Sequence, residues 1–343
     1  MTGTPGSSDS PGLPGLDLEA LATHLGTGPL SGELFPGGRS NLTYRVTDGT
    51  QRWVLRRPPL GHVLATAHDM AREFRVISAL EPTSVPVPHA HQLVEDTSVI
   101  GAPFYLMSEM PGVALRERKQ CPWLNSEKAT VLSRKLVDVL ADLHSVDPDA
   151  VGLGDFGRPE GFLARQVKRW GKQLDASRSR DLPGIDELRD KLADTVPDSQ
   201  RVAIIHGDYR LDNALVTQSP LQISAVLDWE MATLGDPLAD LGLLYVYWQG
   251  LGVDNDPITG SVPSMPGFLS ADELVARYTT RTGTDTSGLG WYIAFGYFKL
   301  AVIVEGIHYR FASGKTVGAG FEKLGAFTVP LVRQGLAAAH KEL

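Results

Sequence analysis

Apolar and polar residues follow two different periods in the two parts of the chain. Between residues 34 and 107, short apolar runs alternate with polar positions and are separated by glycine and proline, which predicts strands joined by turns. Beyond residue 125, apolar residues recur every three or four positions, the spacing of one helix face. We therefore predict an α+β fold, in which a small, mainly antiparallel sheet precedes a larger helical part.

Caps and apolar stripes give the predicted bounds of each element. Strands are predicted on both sides of the turn within residues 34–46, at 52–57, and near 91–94 and 104–107. Helices are predicted at 16–25, 65–80, 126–145, 162–176, 185–194, 290–312 and 321–341, the last with a bend or an interruption at Pro330. Two more begin at Asp236-Pro237 and at the Ser270–Glu273 capping box, the second ending at Gly283. Residues 250–269 have no periodicity and are predicted to form a long loop.

Residues 202–242 carry the clearest candidate chemistry. Three strand-like apolar runs, at 202–205, 214–216 and 223–227, are interrupted or followed by Asp208, Asn213 and Asp228. Two carboxylates and one amide on loops can hold a hard divalent cation, which prefers oxygen ligands. Such a set is commonly used to transfer a phosphoryl group, so the pattern indicates a phosphotransferase.

Composition limits the classes of partner and of site. The chain has 343 residues, of which 42% are hydrophobic, enough for one large or two modest domains. A net charge of −8 argues against nucleic acid or an anionic membrane as the main partner. Cys121 is the single cysteine, which excludes an intrachain disulfide and a cysteine metal cluster.

The ends and the most apolar stretch point to the cell compartment. Residues 1–15 are rich in glycine, proline, serine and threonine, which predicts a disordered tail and not a signal peptide. The longest apolar stretch, 292–307, contains Lys299 and Glu305 and is too short to span a bilayer. We expect a soluble, cytoplasmic protein with no membrane partner.

The spacing within residues 206–230 is more specific than the residue types. An aspartate two positions after a histidine and five before an asparagine matches the H-R-D-x-x-x-x-N loop of protein kinases, here His206-Gly207-Asp208 and then Asn213. Asp228-Trp229-Glu230 follows where kinases have D-F-G. With glycine in the middle of the first triplet, the stretch resembles the aminoglycoside phosphotransferase-like kinases. The resemblance implies a bilobal protein-kinase-like fold, with an N-lobe at 16–108 and a C-lobe at 109–343.

The resemblance also implies which residues of the N-lobe bind the nucleotide. Glycines between the strands of 34–46 would let backbone N–H groups approach phosphates, although the same segment alone would suit an ordinary hairpin turn. Arg56 stands where kinases have a lysine, and Glu73 is its expected ion-pair partner. Arginine is not a neutral replacement for lysine at such a position. The full set of expected nucleotide-binding residues is Gly38, Arg39, Ser40, Asn41, Val54, Arg56, Glu73, Glu109 and Met110. In the resemblance, backbone groups near Glu109 and Met110 would meet the adenine edge.

In the C-lobe the resemblance assigns roles to residues of the central stretch. Asp208 would orient and deprotonate an acceptor hydroxyl, and Arg210 would reach the transferring phosphoryl group. Asn213 and Asp228 would hold Mg²⁺. His206 and Asp240 would brace the loop instead of acting as bases. The expected phosphate donor is ATP, with GTP as an alternative.

The chain is most similar to the branch of this superfamily found fused to acyl-CoA dehydrogenases. The residues that carry this likeness are 54–59 (VLRRPP), Arg165-Gln166, Arg169-Trp170, 206–213 (HGDYRLDN), and Glu305-Gly306-Ile307 with Arg310. Arg56 is normal for that branch. The likeness implies an acceptor with a hydroxylated acyl chain, such as a CoA ester. Another metabolite or an aminoglycoside or macrolide antibiotic remains an alternative acceptor, and Asp254 and Asp256 could serve a cationic antibiotic.

Two other classes of function compete with a small-molecule kinase. A nucleotide-binding pseudokinase that regulates a partner is favoured by Arg56 in place of lysine, but the intact Asp208, Asn213 and Asp228 argue against it. A metallophosphoesterase would need several metal-binding histidines, and His206 stands alone in the central stretch. The oligomeric state is left open by the sequence.

Overall fold

The computed structural model of the chain describes residues 13–35, 41–60, 69–251, 258, 260–314 and 323–340. The chain divides into two compact units, one formed by Met1–Glu81 with Val87–Met110 and the other by Pro82–Pro86 with Pro111–Leu343. Three of the predicted nucleotide-binding residues, Gly38, Arg39 and Ser40, lie outside the described residues, as do Asp254 and Asp256.

The first unit is built on one antiparallel sheet of five strands in the order β1-β2-β3-β5-β4. Its strands are β1 (Ser31–Leu34), β2 (Leu42–Thr47), β3 (Arg52–Arg57), β4 (Ala90–Val94) and β5 (Phe104–Ser108), and its helices are α1 (Leu18–Leu25) and α2 (Met70–Leu80). The predicted antiparallel sheet is therefore confirmed, and β3 has the predicted bounds.

Side chains on the two faces of β3 have different neighbours. Alternation places Trp53 and Leu55 of β3 on one face, in a core that also contains Leu21 of α1. On the other face, Val54 and Arg56 stand beside Met107 and Tyr105 of β5, as the register of the two strands requires. One face of β3 therefore packs into this core, and Arg56 lies on the other face.

Three expectations for this unit are corrected. Helix α1 begins at Leu18 and not at residue 16, because the Asp17 carboxylate caps it by accepting the N–H groups of Glu19 and Ala20 at 3.0 Å. The predicted tail ends earlier than residue 15, because Pro14 and Gly15 accept hydrogen bonds through their backbone carbonyls from the Tyr44 hydroxyl and the Arg57 guanidinium. Residues 1–12 lie outside the described part of the chain. Helix α2 begins at Met70, since Asp69 is extended and its carboxylate caps the helix by accepting the N–H of Arg72 at 2.9 Å. Residues 65–68 of the predicted helix lie outside the described residues.

The second unit is mainly helical, with two small antiparallel sheets, β10-β7 and β6-β8-β9. Its helices are α3 (Ser126–Ser145), α4 (Phe162–Ser177), α5 (Ile185–Asp194), α6 (Leu238–Gln249), α7 (Ala271–Thr282), α8 (Leu289–Ala312) and α9 (Thr328–Ala338). Its strands are β6 (Val113–Ala114), β7 (Ala203–Ile205), β8 (Ala214–Gln218), β9 (Leu221–Val226) and β10 (Thr233–Gly235). Helices α3 and α5 have the predicted bounds, and the described residues between α6 and α7 form neither helix nor strand.

Helix α8 lies at the centre of this unit and packs against α4, α5, α6 and α9. Among the described helices it alone has the length and apolar composition needed to cross a membrane, but 83% of its most apolar window is buried within the structure. It is longer than the apolar stretch 292–307 from which the sequence argument started. Its burial is that of a core helix.

Three helix starts in this unit differ from the predictions, and α8 differs by one residue, because it begins at Leu289 instead of residue 290. Helix α6 begins at Leu238, one residue later than Pro237, although the Asp236 carboxylate still accepts the N–H of Leu238 at 2.9 Å. Helix α9 begins at Thr328, so Pro330 lies in its first turn, where its missing N–H costs no intrahelical hydrogen bond. The predicted bend or interruption at Pro330 is therefore wrong, and the break lies before it, at the 3₁₀ turn Leu324–Phe327.

Candidate active site

Within the central stretch, residues 206–213 form one loop between β7 and β8. This loop starts at His206, ends in a 3₁₀ turn at Leu211–Asn213, and runs into β8. Strands β8 and β9 pair antiparallel with Ala214 opposite Val226, so the start of β8 and the end of β9 lie side by side. The N–H of Leu227 donates to the carbonyl of Asn213 at 2.8 Å, which brings Asn213 next to the residue that precedes Asp228.

Both oxygens of the Asp208 carboxylate accept hydrogen bonds. The Tyr247 hydroxyl donates to Oδ1 at 2.8 Å, and the Asn213 amide nitrogen donates to Oδ2 at 3.1 Å. The same amide nitrogen also donates to the Asp208 carbonyl at 2.8 Å. The carboxylate of the predicted base is thus held in one orientation by residues on two elements.

Asn213 and Asp228 meet the chemical requirements of a magnesium site. The amide nitrogen of Asn213 is engaged with Asp208, so its amide oxygen is the atom left to act as a ligand. Asp228 follows β9 directly and has a φ of 69°, a left-handed conformation that non-glycine residues rarely adopt and that often marks a functional site. Two protein oxygens suit Mg²⁺, which keeps several waters and takes further ligands from substrate phosphates.

Asp240 braces the loop, as predicted. Its carboxylate accepts the backbone N–H groups of His206 at 2.6 Å and Gly207 at 2.8 Å, and it contacts the His144 ring at 3.3 Å. Burial alone would raise the pKa of Asp240, but the hydrogen bonds from His144 and from the backbone of His206 hold it below its ordinary value. Asp240 therefore stays ionised within a fully buried network.

His206 is a structural residue, as predicted. Its Nε2 lies 2.9 Å from the carbonyl of Leu227, and its Nδ1 faces the N–H of Asp208 at 3.2 Å. A carbonyl can only accept, so Nε2 carries the ring proton and Nδ1 accepts. The ring thereby connects the backbone of Asp208 to that of Leu227, the residue before Asp228.

Arg210 is held within the same loop. Its guanidinium donates to Asp212 at 3.0 Å and to the carbonyl of Ile258 at 3.3 Å, and it lies 4.7 Å above the Tyr247 ring. Burial alone would lower the pKa of Arg210, but the neighbouring Tyr247, Asp208 and Asp212 outweigh burial and raise it. The guanidinium is therefore a fixed positive charge near Asp208; its contact with a phosphoryl group stays a prediction.

In the first unit, Glu73 contacts two of the predicted nucleotide-binding residues, Arg56 and Asn41. The Glu73 carboxylate is 1% exposed and forms the predicted ion pair with Arg56, whose Nε lies 2.8 Å from Oε2. Tyr105 donates its hydroxyl to the same oxygen at 3.0 Å, and Asn41 donates its amide to Oε1 at 2.9 Å. The structure thus joins Asn41, Arg56 and Glu73, while the nucleotide contacts of these residues remain untested.

Glu109 and Met110, the expected adenine-side residues, follow β5 directly. The Glu109 carboxylate is held by the Arg45 guanidinium, with Nη2 at 2.6 Å and Nε at 2.8 Å. This side chain is engaged with β2, so an adenine contact would depend on the backbone, as predicted from the sequence. Val54 is 7% exposed on the same sheet.

Sequence reasoning missed two residues that the structure places in the site. Tyr247 is one, and it lies seven positions after Asp240 on α6, hence on the same helix face. That spacing was the available signal. Lys299 of α8 is the other; its ammonium donates to the Gly207 carbonyl at 2.5 Å, and no local pattern indicated it.

A family model described as the phosphotransferase enzyme family (APH) matches residues 31–257 of the chain. A curated relative, acyl-CoA dehydrogenase family member 10 of Mus musculus, is 33% identical over 333 residues, which cover 94% of this chain and 30% of that protein. The chain therefore spans less than a third of the length of this relative.

Solved structures agree with the family match. A crystal structure of a candidate aminoglycoside phosphotransferase from Ralstonia eutropha is similar with a TM-score of 0.81 and 34% identity, covering 94% of this chain and 98% of that one. A thermostable mutant of an aminoglycoside phosphotransferase, in a ternary complex with ADP and hygromycin B, has a TM-score of 0.64 and 13% identity, covering 94% and 99%. The second likeness shows the kinase-like fold alone.

Proposed function

The chain belongs to the phosphotransferase enzyme family, and we propose that it is a small-molecule kinase with an alcohol group as acceptor. It would transfer the γ-phosphoryl group of ATP, with Mg²⁺, to a hydroxylated acyl compound. The observation that carries the proposal is the orientation of Asp208. Its carboxylate is held by Tyr247 and Asn213, and Asn213 in turn lies next to the residue before Asp228, with which it would hold Mg²⁺.

The chemistry assigned to Asp208 is proton transfer from the acceptor. An oxygen–phosphorus bond forms between the acceptor hydroxyl and the γ-phosphorus, the bond from that phosphorus to the bridging oxygen of ADP breaks, and the hydroxyl proton goes to the carboxylate. Arg210 is a fixed cation that would stabilise negative charge on the transferring group. Bound Mg²⁺ would supply charge neutralisation on the phosphates, held by Asn213 and Asp228.

The donor side of the proposal rests on the Arg56–Glu73 pair. A buried carboxylate at 2.8 Å orients the guanidinium, as a kinase glutamate orients the lysine that meets the α- and β-phosphates. The ADP in the solved aminoglycoside phosphotransferase complex supports an adenine nucleotide as donor. Backbone groups of residues 38–41 and of Glu109 and Met110 are the further contacts that we expect for the nucleotide.

The acceptor class is proposed from the relative. The mouse relative is named as an acyl-CoA dehydrogenase family member, and its matched part covers nearly this whole chain. A kinase joined to such a protein would act on acyl compounds, so a hydroxyacyl-CoA or a free hydroxy acid is the acceptor that we expect. Aminoglycoside and macrolide antibiotics are the alternative acceptors.

Mass spectrometry of phosphate transfer tests the proposal. The protein is incubated with MgATP and one acceptor at a time. The acceptors are 3-hydroxybutyryl-CoA, longer hydroxyacyl-CoAs, hydroxy acids, kanamycin and erythromycin. Asp208→Ala should lower the rate by about 10²-fold to 10⁴-fold, the usual contribution of a general base. Asp194→Ala, at an exposed position on α5, is the matched control and should leave the rate unchanged.

Each result separates the hypotheses. Phosphorylation of a hydroxyacyl compound that disappears in Asp208→Ala supports the proposal, and transfer to kanamycin or erythromycin alone would replace its acceptor class. Nucleotide binding without any phosphorylated product would favour the pseudokinase. A protein that binds no nucleotide would contradict the kinase function and the roles of Arg56, Asn213 and Asp228.

A further inference from the structure

Lys299 is a buried cation with no part in the roles described above. It lies on α8, is 5% exposed, and is covered by the Trp170 ring of α4, whose centroid lies 5.4 Å from Nζ. Its ammonium donates to the Gly207 carbonyl at 2.5 Å, a short, charge-assisted hydrogen bond. The core helix α8 thereby places one positive charge against the backbone of the H-G-D triplet.

The acceptor of this hydrogen bond belongs to the peptide group that carries Asp208. The carbonyl of Gly207 faces Lys299, and the N–H of the same peptide group, which belongs to Asp208, donates to His206 Nδ1 at 3.2 Å. The two sides of one peptide plane are therefore held by residues of different elements. Rotation of this plane would move the Asp208 carboxylate away from Tyr247 and Asn213.

The conformation at Gly207 needs such support. Its φ is 81°, and a Cβ atom at this position would lie 2.7 Å from the carbonyl oxygen of Met231, so only glycine fits. Glycine by itself does not hold one conformation, because it loses more conformational freedom on folding than any other residue. Asp240 holds the N–H of Gly207 at 2.8 Å, and Lys299 holds its carbonyl.

Stability alone does not account for a lysine at this position. Burial lowers the pKa of Lys299, the charge of Arg169 lowers it further, and the carboxylates of Asp208 and Asp240 act in the opposite direction. Replacing a buried charge by an apolar side chain of similar volume is often neutral or stabilising. A methionine would fill the space between α4 and the loop without this electrostatic cost.

We propose that Lys299 is a positioning residue for phosphoryl transfer, which fixes the Gly207–Asp208 peptide group and so the direction of the Asp208 carboxylate. The inference rests on the proposed role of Asp208 as the base. It assigns the lysine no contact with nucleotide or acceptor, so its removal should affect turnover and not nucleotide affinity.

Lys299→Met, Lys299→Arg and, as a control, Lys135→Met on α3 test the inference. Hydrogen–deuterium exchange of peptides covering residues 205–213 is measured together with thermal unfolding, kcat, and KM for MgATP, using ADP release with 3-hydroxybutyryl-CoA. In Lys299→Met we expect faster exchange confined to 205–213, kcat lower by about 10-fold to 100-fold, and KM for MgATP within about twofold of the wild type because nucleotide contacts remain. Lys299→Arg, which keeps a cation, should recover part of kcat, and Lys135→Met should match the wild type.

Two results would overturn the inference. One is wild-type kcat and wild-type exchange in Lys299→Met. The other is an activity loss accompanied by a lower unfolding temperature and faster exchange throughout the second unit, which would make Lys299 a merely structural residue. If the wild-type protein releases no ADP with any of the acceptors named above, the proposed function fails by itself, and the exchange of residues 205–213 still decides the positioning role.

Discussion

Tyr247 connects the two side chains to which catalysis is assigned. Its hydroxyl donates to Asp208 at 2.8 Å, and the face of its ring lies 4.7 Å from the Arg210 guanidinium. Burial is the main cause that raises the pKa of Tyr247 well above its ordinary value, and the charge of Asp208 adds to it, so the hydroxyl keeps its proton and donates. One side chain thus orients the base through a hydrogen bond and the cation through its ring.

Tyr247→Phe separates these two effects, because it removes the hydroxyl and keeps the ring beneath Arg210. A hydrogen bond to a charged group is worth about 1.5 to 3 kcal/mol, so we expect kcat to fall by about tenfold or more. KM for MgATP should stay unchanged. Tyr245→Phe on the same helix is the control, because its hydroxyl also donates to a carboxylate, that of Asp272, at 3.0 Å. Equal effects of the two substitutions in steady-state kinetics would contradict this role.

Asp240 makes the stability of the loop depend on pH in a defined direction. Its pKa is lowered in the folded protein from an ordinary value of 3.8, so the ionised carboxylate stabilises the fold above that value. This contribution is lost as the pH falls through the lower, folded value.

Asp240→Asn removes that contribution and leaves N–H groups of His206 and Gly207 facing an amide. We expect a free energy of unfolding about 2 to 4 kcal/mol lower at pH 7, since a buried charged partner is lost. The deficit should shrink as the pH falls below 3.8. This difference in the free energy of unfolding is measured by urea unfolding of both proteins, from pH 7 down to the lowest pH at which both fold. A deficit that is independent of pH across this window would show that ionisation of Asp240 does not stabilise the loop.

Among the helices, α7 is the one whose start is set most clearly by local chemistry. Ser270 and Glu273 form a reciprocal capping box, with the Glu273 N–H donating to the Ser270 hydroxyl at 3.2 Å and the Ser270 N–H donating to the Glu273 carboxylate at 2.7 Å. Gly283 ends the helix with a φ of 67°. Both features are as the sequence predicts.

Ser270→Ala should lower the free energy of unfolding by about 1 kcal/mol, the usual cost of losing an N-cap side chain. Thr280→Ala, at an exposed position of the same helix, is the control and should be neutral or slightly stabilising, because alanine has the higher helix propensity. Urea unfolding followed by circular dichroism compares the two. Equal stabilities of the two variants would show that this cap does not support α7.

Considered as a whole, the protein should be stabilised by the nucleotide that it is proposed to bind. A ligand present at about 100 times its dissociation constant raises the free energy of unfolding by about 2.7 kcal/mol. Thermal unfolding is measured without ligand, with ATP and EDTA, and with MgATP. We expect Mg²⁺ to add to the ATP effect in the wild type and to add nothing in Asp228→Ala. An undiminished Mg²⁺ effect in that variant would contradict the assignment of Asp228 as a ligand.

The bounds of helices and strands could be predicted from the sequence where neighbouring residues along the chain determine them. Helices α3 and α5 and strand β3 were predicted with their observed bounds, because stripes, caps and alternation are local. The starts of α2 and α9 were wrong by several residues: Asp69 supplies a cap that the apolar pattern does not show, and Pro330 fits a first turn as well as a bend. The first residue of each of these helices is determined by the geometry of its cap and first turns.

Contacts of the site were predictable where spacing within a motif defined them. The H-G-D-x-x-x-x-N spacing indicated Asp208 and Asn213, and the resemblance to kinases implied the pairing of Arg56 with Glu73. Tyr247 and Lys299 were missed. They lie in helices that are apolar on nearly all sides, where a tyrosine or a lysine has no local feature that marks it as part of a site.

The amino-acid sequence by itself determined the two periods of the chain, hence a sheet followed by helices, and the motif that predicts which loop is catalytic. Folding alone brought Lys299 to the carbonyl of Gly207, 92 positions earlier, and Tyr247 to Asp208, 39 positions earlier. The physical reason is that helix and strand patterns arise from neighbours along the chain, whereas the direction of one carboxylate depends on side chains delivered by distant helices. Their positions follow from the packing of the entire helical core.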